Sequence, residues 1–502
     1  MGFGEAADMS PLMKKATSKT VAVLGASYGG YSAARHLADN LPKDWRLVVV
    51  DRNSHFNHLY VYPRLGVLTG HSHKGFIPYT HIFGSGQDST RHVLLNAHIT
   101  KLSHHSAGLS KRFTEHGVDG AEPSLEFDYA VYALGSHMPG PINLWGPAID
   151  EEDVQDSASL TTPSISNVQS AQSTSSPSFS EVTTATTHTQ DVASLSQETG
   201  TKSAGIEWLN RSSKYIENVP SVLVVGGGAL GIQYATDIAE IYPNKSVTLL
   251  HSRMQLLPRF DPCMHSEIIA ALSSLNVNTI LGERLDLSFP RRTERNKDGH
   301  IENVVRTTSG REIRASVILL CTGQRPNTGF VHDLLPEAII PDGPSKSLIR
   351  VNRKLQIGVP AAASQVDRVA DGLSKLSVGD LKTAEPGDAE LDVPHPHLFA
   401  IGDAADTFGA INAGHTAHAQ ALVAANNILK LIQAEESSSG PPELEEYHPG
   451  PPGIKMSIGR NTMLYQVGDK VGQKQKCPDD LGAPVMWKFY LGREVTEEEM
   501  LD

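Results

Sequence analysis

Short runs of β-branched and other apolar residues recur along the chain, each ending at glycine or an acid, with helix-patterned stretches between them. Val21–Leu24 reads as a buried strand, 29–38 as a helix with small residues on one side, and 47–50 as the next strand, ending at Asp51. Periodicity of this kind predicts a βαβ unit. The plan repeats about two hundred residues later: a strand at 222–225, a helix over 229–241 and a strand at 247–250. Further strands are expected at 127–134, 316–320 and 397–401, followed by an Ala-rich helix over 412–432. Residues after about Tyr447 predict a small α+β unit. Within it, Val485-Met-Trp487-Lys-Phe489-Tyr490 reads first as a buried strand and second as a membrane contact.

Polar stretches interrupt this pattern. Residues 151–203 are Ser/Thr-rich and cannot bury enough surface to offset their conformational entropy. Polar insertions are also expected at about 358–394 and 435–452. The 502 residues exceed one ordinary domain. A net charge of −13 argues against a nucleic-acid surface. The three cysteines are scattered, with no C-x-x-C or C-x4-C pair, so neither a disulfide framework nor a redox dithiol is expected, and a reducing compartment fits. Met1 to Lys19 has no apolar core of a secretory signal and is a poor Arg-rich transit peptide. Ala6 stands where a myristoylation pattern needs Ser or Thr. No segment approaches the length of a membrane span.

The chemistry gathers at two glycine-rich turns. The second, Gly226-Gly-Gly228-Ala-Leu-Gly231, is a complete G-x-G-x-x-G after a strand and before a helix. The first, Gly25-Ala-Ser27-Tyr-Gly29-Gly30, has Ser27 in place of the middle glycine. In such a turn the first glycine allows the bend, the second lets backbone approach a pyrophosphate, and the third lets helix and strand pack. Asp51 stands where an acid hydrogen-bonds a ribose hydroxyl. The strand after the second turn ends in Leu250-His251-Ser252-Arg253, without an acid, so Arg253 is a candidate partner for a 2′-phosphate and NADPH is favoured. Two such turns imply two dinucleotides, with electrons passing between them. Gly25-Ala-Ser27-Tyr-Gly29 also fits the G-x-S-x-G elbow of a hydrolase, but it follows the first strand, before a sheet exists to carry it. Strands ending at Gly135, at Gly323 and at Gly402-Asp403 complete the set. His55/His58, His71/His73 and His415/His418 lack accompanying acid or Cys ligands, so no metal is expected.

In this order these strings resemble the pyridine-nucleotide flavin reductases with two dinucleotide-binding domains, and within them the apoptosis-inducing-factor-like branch with its NAD(P)H:quinone reductases. The resemblance covers nearly the whole chain outside the insertions and extends to Ser457-Ile-Gly459-Arg460-Asn461. It implies an α/β fold with two Rossmann-like domains, for FAD and NAD(P)H, plus a small C-terminal α+β domain. The implied division is a flexible N-terminus (1–17), an FAD domain (18–150), the Ser/Thr-rich insertion (151–204), an NAD(P)H domain (205–325), the resumed FAD domain (326–434) and the C-terminal domain (435–502).

By the same resemblance Gly25, Gly29, Gly30 and Asp51 hold the adenosine half of FAD, and Asp403 its ribityl–pyrophosphate region. Gly226, Gly228 and Gly231 hold NAD(P)H, and the helix after Asn412 points its positive end at the flavin. Lys74 aligns with a lysine expected beside the flavin, where it stabilises the reduced form, and Arg64 has similar standing. Gln233 replaces the family's glutamate, which removes a charge near the nicotinamide. The implied reaction is ping-pong, from NAD(P)H through FAD to an acceptor, best a quinone. The alternatives are a slow redox-sensing or cell-death signalling flavoprotein and a reductase serving a small redox protein. A cytoplasmic location is expected, with peripheral contact at a membrane or lipid droplet, and a mitochondrial one is left open.

Overall fold

The computed structural model describes residues 19–84, 90–137, 200–290, 292–361 and 391–501. The N-terminal expectation for 1–17, and most of the expected insertions at 151–204 and 358–394, lie outside the described residues. The chain opens with strand β1 (Lys19–Leu24), helix α1 (Tyr28–Asn40) and strand β2 (Trp45–Asp51). The one-turn helix α2 (Tyr62–Leu65) and strands β3 (Val93–Asn96) and β4 (Tyr129–Tyr132) follow. Helix α3 (Lys202–Asn218) leads into β5 (Ser221–Val225), α4 (Ala229–Ile241), β6 (Ser246–His251), α5 (Pro262–Ser274), β7 (Asn278–Leu281) and β8 (Val317–Leu320). Then come β9 (Leu398–Ala400), α6 (Gly414–Ser437), β10 (Gly453–Ser457), β11 (Thr462–Val467), β12 (Lys470–Gln475), α7 (Ala483–Leu491) and α8 (Glu497–Leu501).

Two parallel sheets dominate. One has the order β9-β4-β1-β2-β3, the other β7-β6-β5-β8. The inner strands β1, β2 and β5 are buried on both faces, which explains why they read as continuous apolar runs. The first sheet takes β9 from more than 250 residues downstream of β4, so its unit is discontinuous. The chain leaves and re-enters it side by side, where Ser136–His137 pairs antiparallel with Arg325–Pro326. Helices α1 and α6 pack closely because Gly29, Ala33, Ala421 and Ala424 keep their contact thin. The antiparallel sheet β10-β11-β12 and helices α7 and α8 form the C-terminal part. No helix among the described residues is long and apolar enough to cross a membrane.

Three sequence expectations need correction. Residues 483–491 form a helix, not a strand: Trp487 and Tyr490 turn inward at i, i+3, while Val485 and Phe489 are 68% and 65% exposed at i, i+4. A short apolar run does not distinguish the two periods, and here the helical one wins. Helix α6 runs through 434–435, so a domain boundary there would cut a continuous helix. Likewise α3, N-capped by Thr201 on the Ala204 N–H, begins inside the stretch assigned to the insertion and crosses 204–205.

The second core is shared rather than local. Tyr62, Leu65 and Phe76 from the first unit join Leu209, Ile232, Ile238 and Leu249, together with Met456, Ile458 and Leu464 of the C-terminal part. The β10–β11 turn seats on α4 at Gly459, whose φ is +75° and whose hypothetical Cβ would lie 2.0 Å from Glu240 Oε2. Glu240 accepts the Arg460 N–H there, so the carboxylate has no room to retreat without losing that bond. Gly459→Ala is therefore expected to destabilise the protein by about 1–3 kcal/mol, read as a lower melting temperature.

Candidate cofactor site

Both glycine turns are built the same way. A Cβ on Gly30 would lie 1.8 Å from the Gly25 carbonyl oxygen, and one on Gly231 would lie 1.8 Å from that of Gly226. The third glycine in each turn is thus a steric requirement of helix meeting strand. Gly226 has φ +124°, and its Cβ would lie 2.5 Å from the Cys321 carbonyl oxygen. Gly228 is different: a Cβ there meets nothing within 4 Å, leaving open space beside the first turn of α4. Ser27 N-caps α1 without a side-chain capping bond. Backbone N–H groups at both helix starts therefore face sites suited to a pyrophosphate.

Asp51 closes the first turn. Its Oδ2 accepts the Ala26 N–H at 2.6 Å and its Oδ1 the Asn53 N–H at 2.7 Å. Burial pushes this carboxyl up, and the two N–H bonds pull it back. The acid braces the turn in addition to standing at the strand end, and each oxygen keeps a lone pair for a ribose hydroxyl. Gly29, expected to touch the cofactor, lies in the first turn of α1, where a Cβ would stand 3.2–3.3 Å from Ile401 and Ala417 of the α6 side.

At the other end of the first unit, Asp403 is held by the Ser136 hydroxyl, which donates to its Oδ2 at 3.2 Å. Burial raises the Asp403 carboxyl and this bond lowers it. The Gly402 N–H donates to Gln420 Oε1 at 2.7 Å, fixing the loop to α6. Gly135 precedes Ser136, which bonds Asp403, and its carbonyl accepts the Asn327 N–H at 2.9 Å. The start of α6 carries residues that sequence reasoning missed. The Gly414 N–H donates to the Tyr60 hydroxyl at 2.6 Å, and Tyr60 packs on Tyr28, 5.1 Å between ring centroids. Tyr28 Oη lies 3.0 Å from His58 Nδ1, and burial lowers the His58 pKa to about 4. The only signal was the aromatic and imidazole density of His55-Phe56-Asn57-His58-Leu59-Tyr60.

At the second turn His251 Nδ1 accepts the Gly227 N–H at 3.1 Å. That fixes the neutral tautomer with its proton on Nε2, an atom that is buried without a hydrogen-bond partner. Burial, and then Arg253's charge, lower the His251 pKa. Arg253 itself is exposed at the strand end, and Gly323 lies at an exposed strand exit nearby in the fold. A basic group, Arg253, thus stands exposed where an acid would favour the bare ribose, and the His251 ring supports the turn from within.

Arg64 and Lys74 need correction. Arg64 is fully buried, its Nε and Nη2 each donating to Asp237 at 2.9 Å and its Nη2 also to the Gly459 carbonyl at 2.8 Å. With its donors spent on α4 and the β10–β11 turn, it ties three parts of the chain rather than a flavin. Burial opposes its charge, and Asp237 restores it. Lys74 Nζ pairs with Asp480 and Glu497, each at 2.9 Å, and the Lys74 carbonyl accepts Trp487 Nε1–H. Burial works against the ammonium, and the two carboxylates outweigh it. Its partners place it as an anchor for α7 and α8. Gln233 is buried and donates to Ser457 Oγ at 3.2 Å.

Residues 19–361 match the pyridine nucleotide-disulphide oxidoreductase family, and the chain belongs to it. It is 36% identical to "Fe-regulated protein 8" of Mycosarcoma maydis over 478 residues, 95% of this chain and 96% of the relative. It is 23% identical to human "Ferroptosis suppressor protein 1", covering 93% and 95% of the two chains. The sulfide:quinone oxidoreductase of Aquifex aeolicus shares its fold at a TM-score of 0.57 and 13% identity, over 96% of this chain and 94% of that one. The chain is an FAD- and NAD(P)H-dependent oxidoreductase, and its two cradles fit those two dinucleotides.

Removing one partner of the buried Arg64–Asp237 pair strands the other charge. Asp237→Asn and Arg64→Met are each expected to cost about 3–5 kcal/mol, and Arg64→Met with Asp237→Leu distinctly less than their sum. Chemical denaturation of the three variants measures this.

Proposed function

We propose that the chain is an NAD(P)H:quinone oxidoreductase that uses NADPH in preference to NADH. One observation carries the choice of a small acceptor: the three cysteines are unpaired and far apart in sequence, with Cys321 buried under the second glycine turn. Electrons therefore have no dithiol through which to leave, and the acceptor must meet the flavin itself. When bound, FAD accepts a hydride equivalent from NAD(P)H and passes two electrons to the acceptor. The resemblance to the quinone reductases of the apoptosis-inducing-factor-like branch supports a quinone in that role.

The chain's own residues perform binding and positioning. The turns at Gly25–Gly30 and Gly226–Gly231 hold two pyrophosphates, and Asp51 and Asp403 orient the flavin dinucleotide. The start of α6 sets a positive helix end toward the ring, where negative charge develops on reduction. Arg253, exposed at the strand end, recognises a 2′-phosphate. Peripheral contact with a lipid surface fits the exposed Val485 and Phe489 of α7. A second reading, a slow redox-sensing flavoprotein, is favoured by Gln233, whose amide is engaged by Ser457 and carries no charge toward a nicotinamide.

Anaerobic stopped-flow distinguishes these readings. Flavin bleaching by NADPH within a catalytic time scale, then reoxidation by a short-chain quinone, is expected. Slow bleaching without a quinone response favours the sensor. Arg253→Ala should raise the KM for NADPH about tenfold and leave that for NADH nearly unchanged, the loss of one charge-assisted contact. Equal KM changes for both nucleotides would remove Arg253 from phosphate recognition.

A further inference from the structure

Tyr60 stands where three elements of the FAD-binding unit meet. Its ring packs on Tyr28 in the first turn of α1, directly after the glycine-rich turn, with centroids 5.1 Å apart. Its hydroxyl oxygen accepts the Gly414 N–H, the first of α6, at 2.6 Å. The Asp403 carboxylate, on the loop after β9, is near enough for its charge to act on the phenol. The surroundings hold this arrangement. Tyr28 Oη lies 3.0 Å from His58 Nδ1, its ring meets Phe56 edge to face at 4.9 Å, and a Cβ on Gly414 would stand 2.7 Å from that ring. The His58 N–H in turn donates to the Gly75 carbonyl at 2.8 Å. Tyr60 is thus fixed at its oxygen and along one face, yet as a residue it is half exposed.

A phenolic hydroxyl has one proton to give and two lone pairs. One lone pair is taken by Gly414, and no hydrogen bond among the described residues uses the proton. Desolvation at the hydroxyl raises the Tyr60 pKa, the Gly414 N–H lowers it and the Asp403 charge raises it again, with a net rise, so the group remains a donor near neutral pH. Neighbouring donors are turned elsewhere: the Ser136 hydroxyl to Asp403, and Arg259 Nη2 to the Gly409 and Ala410 carbonyls. The Gly414 N–H belongs to the positive end of a 24-residue helix, where the first N–H groups have no partner within the helix. An N–H that donates to a hydroxyl oxygen polarises that hydroxyl, because linked donors strengthen one another. The helix end is thereby extended by one side chain, whose O–H is the donor that faces outward.

We infer that the Tyr60 hydroxyl donates a hydrogen bond to the bound flavin and relays the Gly414 N–H of α6 onto the negative charge that reduction leaves on the ring. A hydride brings two electrons and one proton, so the reduced ring is one charge more negative than the oxidised one. A donor at this place favours the reduced form, and it does so without giving up its proton. The inference rests on the reading of the first cradle as the FAD site with α6 starting at the ring. It is independent of the acceptor and of the nucleotide preference.

The two-electron midpoint potential of the FAD-loaded protein, equilibrated with redox dyes and without nicotinamide or quinone, is compared between wild type and Tyr60→Phe. The variant should lose about tenfold of its preference for reduced over oxidised FAD, the worth of one hydrogen bond to a charged group. That loss reads as a potential about 30 mV lower. Titration of the deflavinated full-length protein should show oxidised FAD bound nearly as tightly as in wild type. Phenylalanine keeps the ring and its contact with Tyr28, and the melting temperature should stay near that of wild type. A potential equal to or above the wild-type value overturns the relay, since the helix end would then serve the ring without the phenol. Equal weakening of both oxidation states also overturns it and leaves Tyr60 a role in fit alone. Wild type that takes up no FAD would instead overturn the reading of the cradle, and this inference with it.

Discussion

The guanidinium of Arg64 is the point at which the three parts of this chain are fastened. It reaches from α2 of the first unit into α4 of the second and takes the Gly459 carbonyl of the C-terminal turn, with no solvent exposure. A buried charge of this kind is costly unless it is paired, and here Asp237 accepts from Nε and Nη2, the Gly459 carbonyl from Nη2 and the Arg460 carbonyl from Nη1. The tie therefore specifies one relative placement of the units more than it adds stability. Any rearrangement that moved α4 away from α2 would leave a bare guanidinium and a bare carboxylate in an apolar core.

The same helix explains the string Ser457-Ile-Gly459-Arg460-Asn461. Gln233, Asp237 and Glu240 fall at i, i+4 and i+7, one stripe of α4. Each meets the β10–β11 turn: Gln233 through Ser457, Asp237 through Arg64 and Gly459, and Glu240 through the Arg460 N–H and Asn461. Loss of the family's glutamate at position 233 is thus compatible with the seam, since a neutral amide still donates to Ser457. The helix that starts at the nucleotide cradle is continuous with the surface that holds the C-terminal sheet.

Much of this architecture was legible in the residues. β-Branched runs, the two glycine turns and the strand exits at Gly135, Gly323 and Gly402 have local causes: the two glycine turns are strand–turn–helix junctions, and Gly135 and Gly323 lead into the paired segments Ser136–His137 and Arg325–Pro326. The third glycine of each turn was readable because a side chain on Gly30 or Gly231 strikes backbone within the same motif. What was not legible depends on long-range partners. Arg64 and Lys74 look like solvent-facing or cofactor-facing cations until Asp237, and then Asp480 and Glu497, arrive from 173 and more than 400 residues away. Gly29 sat in a glycine motif, yet its neighbours are Ile401 and Ala417. Helix α7 was misread because six residues of mixed apolar character carry no decisive period.

The placement of Tyr60 and His58 shows how burial changes what a polar residue offers at the flavin end. His58 lies in an aromatic setting with Tyr28, Phe56 and Tyr60, and burial keeps its imidazole neutral near pH 7. Tyr60, half exposed, takes the first N–H of α6. The two cations expected beside the flavin, Arg64 and Lys74, are both committed to carboxylates. At the α6 start itself a cation arrives from the second unit: Arg259 Nη2 donates to the Gly409 and Ala410 carbonyls, just before the helix end and beside its dipole. Under the proposed function, the flavin's potential should therefore respond to substitutions that disturb the Gly414 N–H and to loss of Arg259.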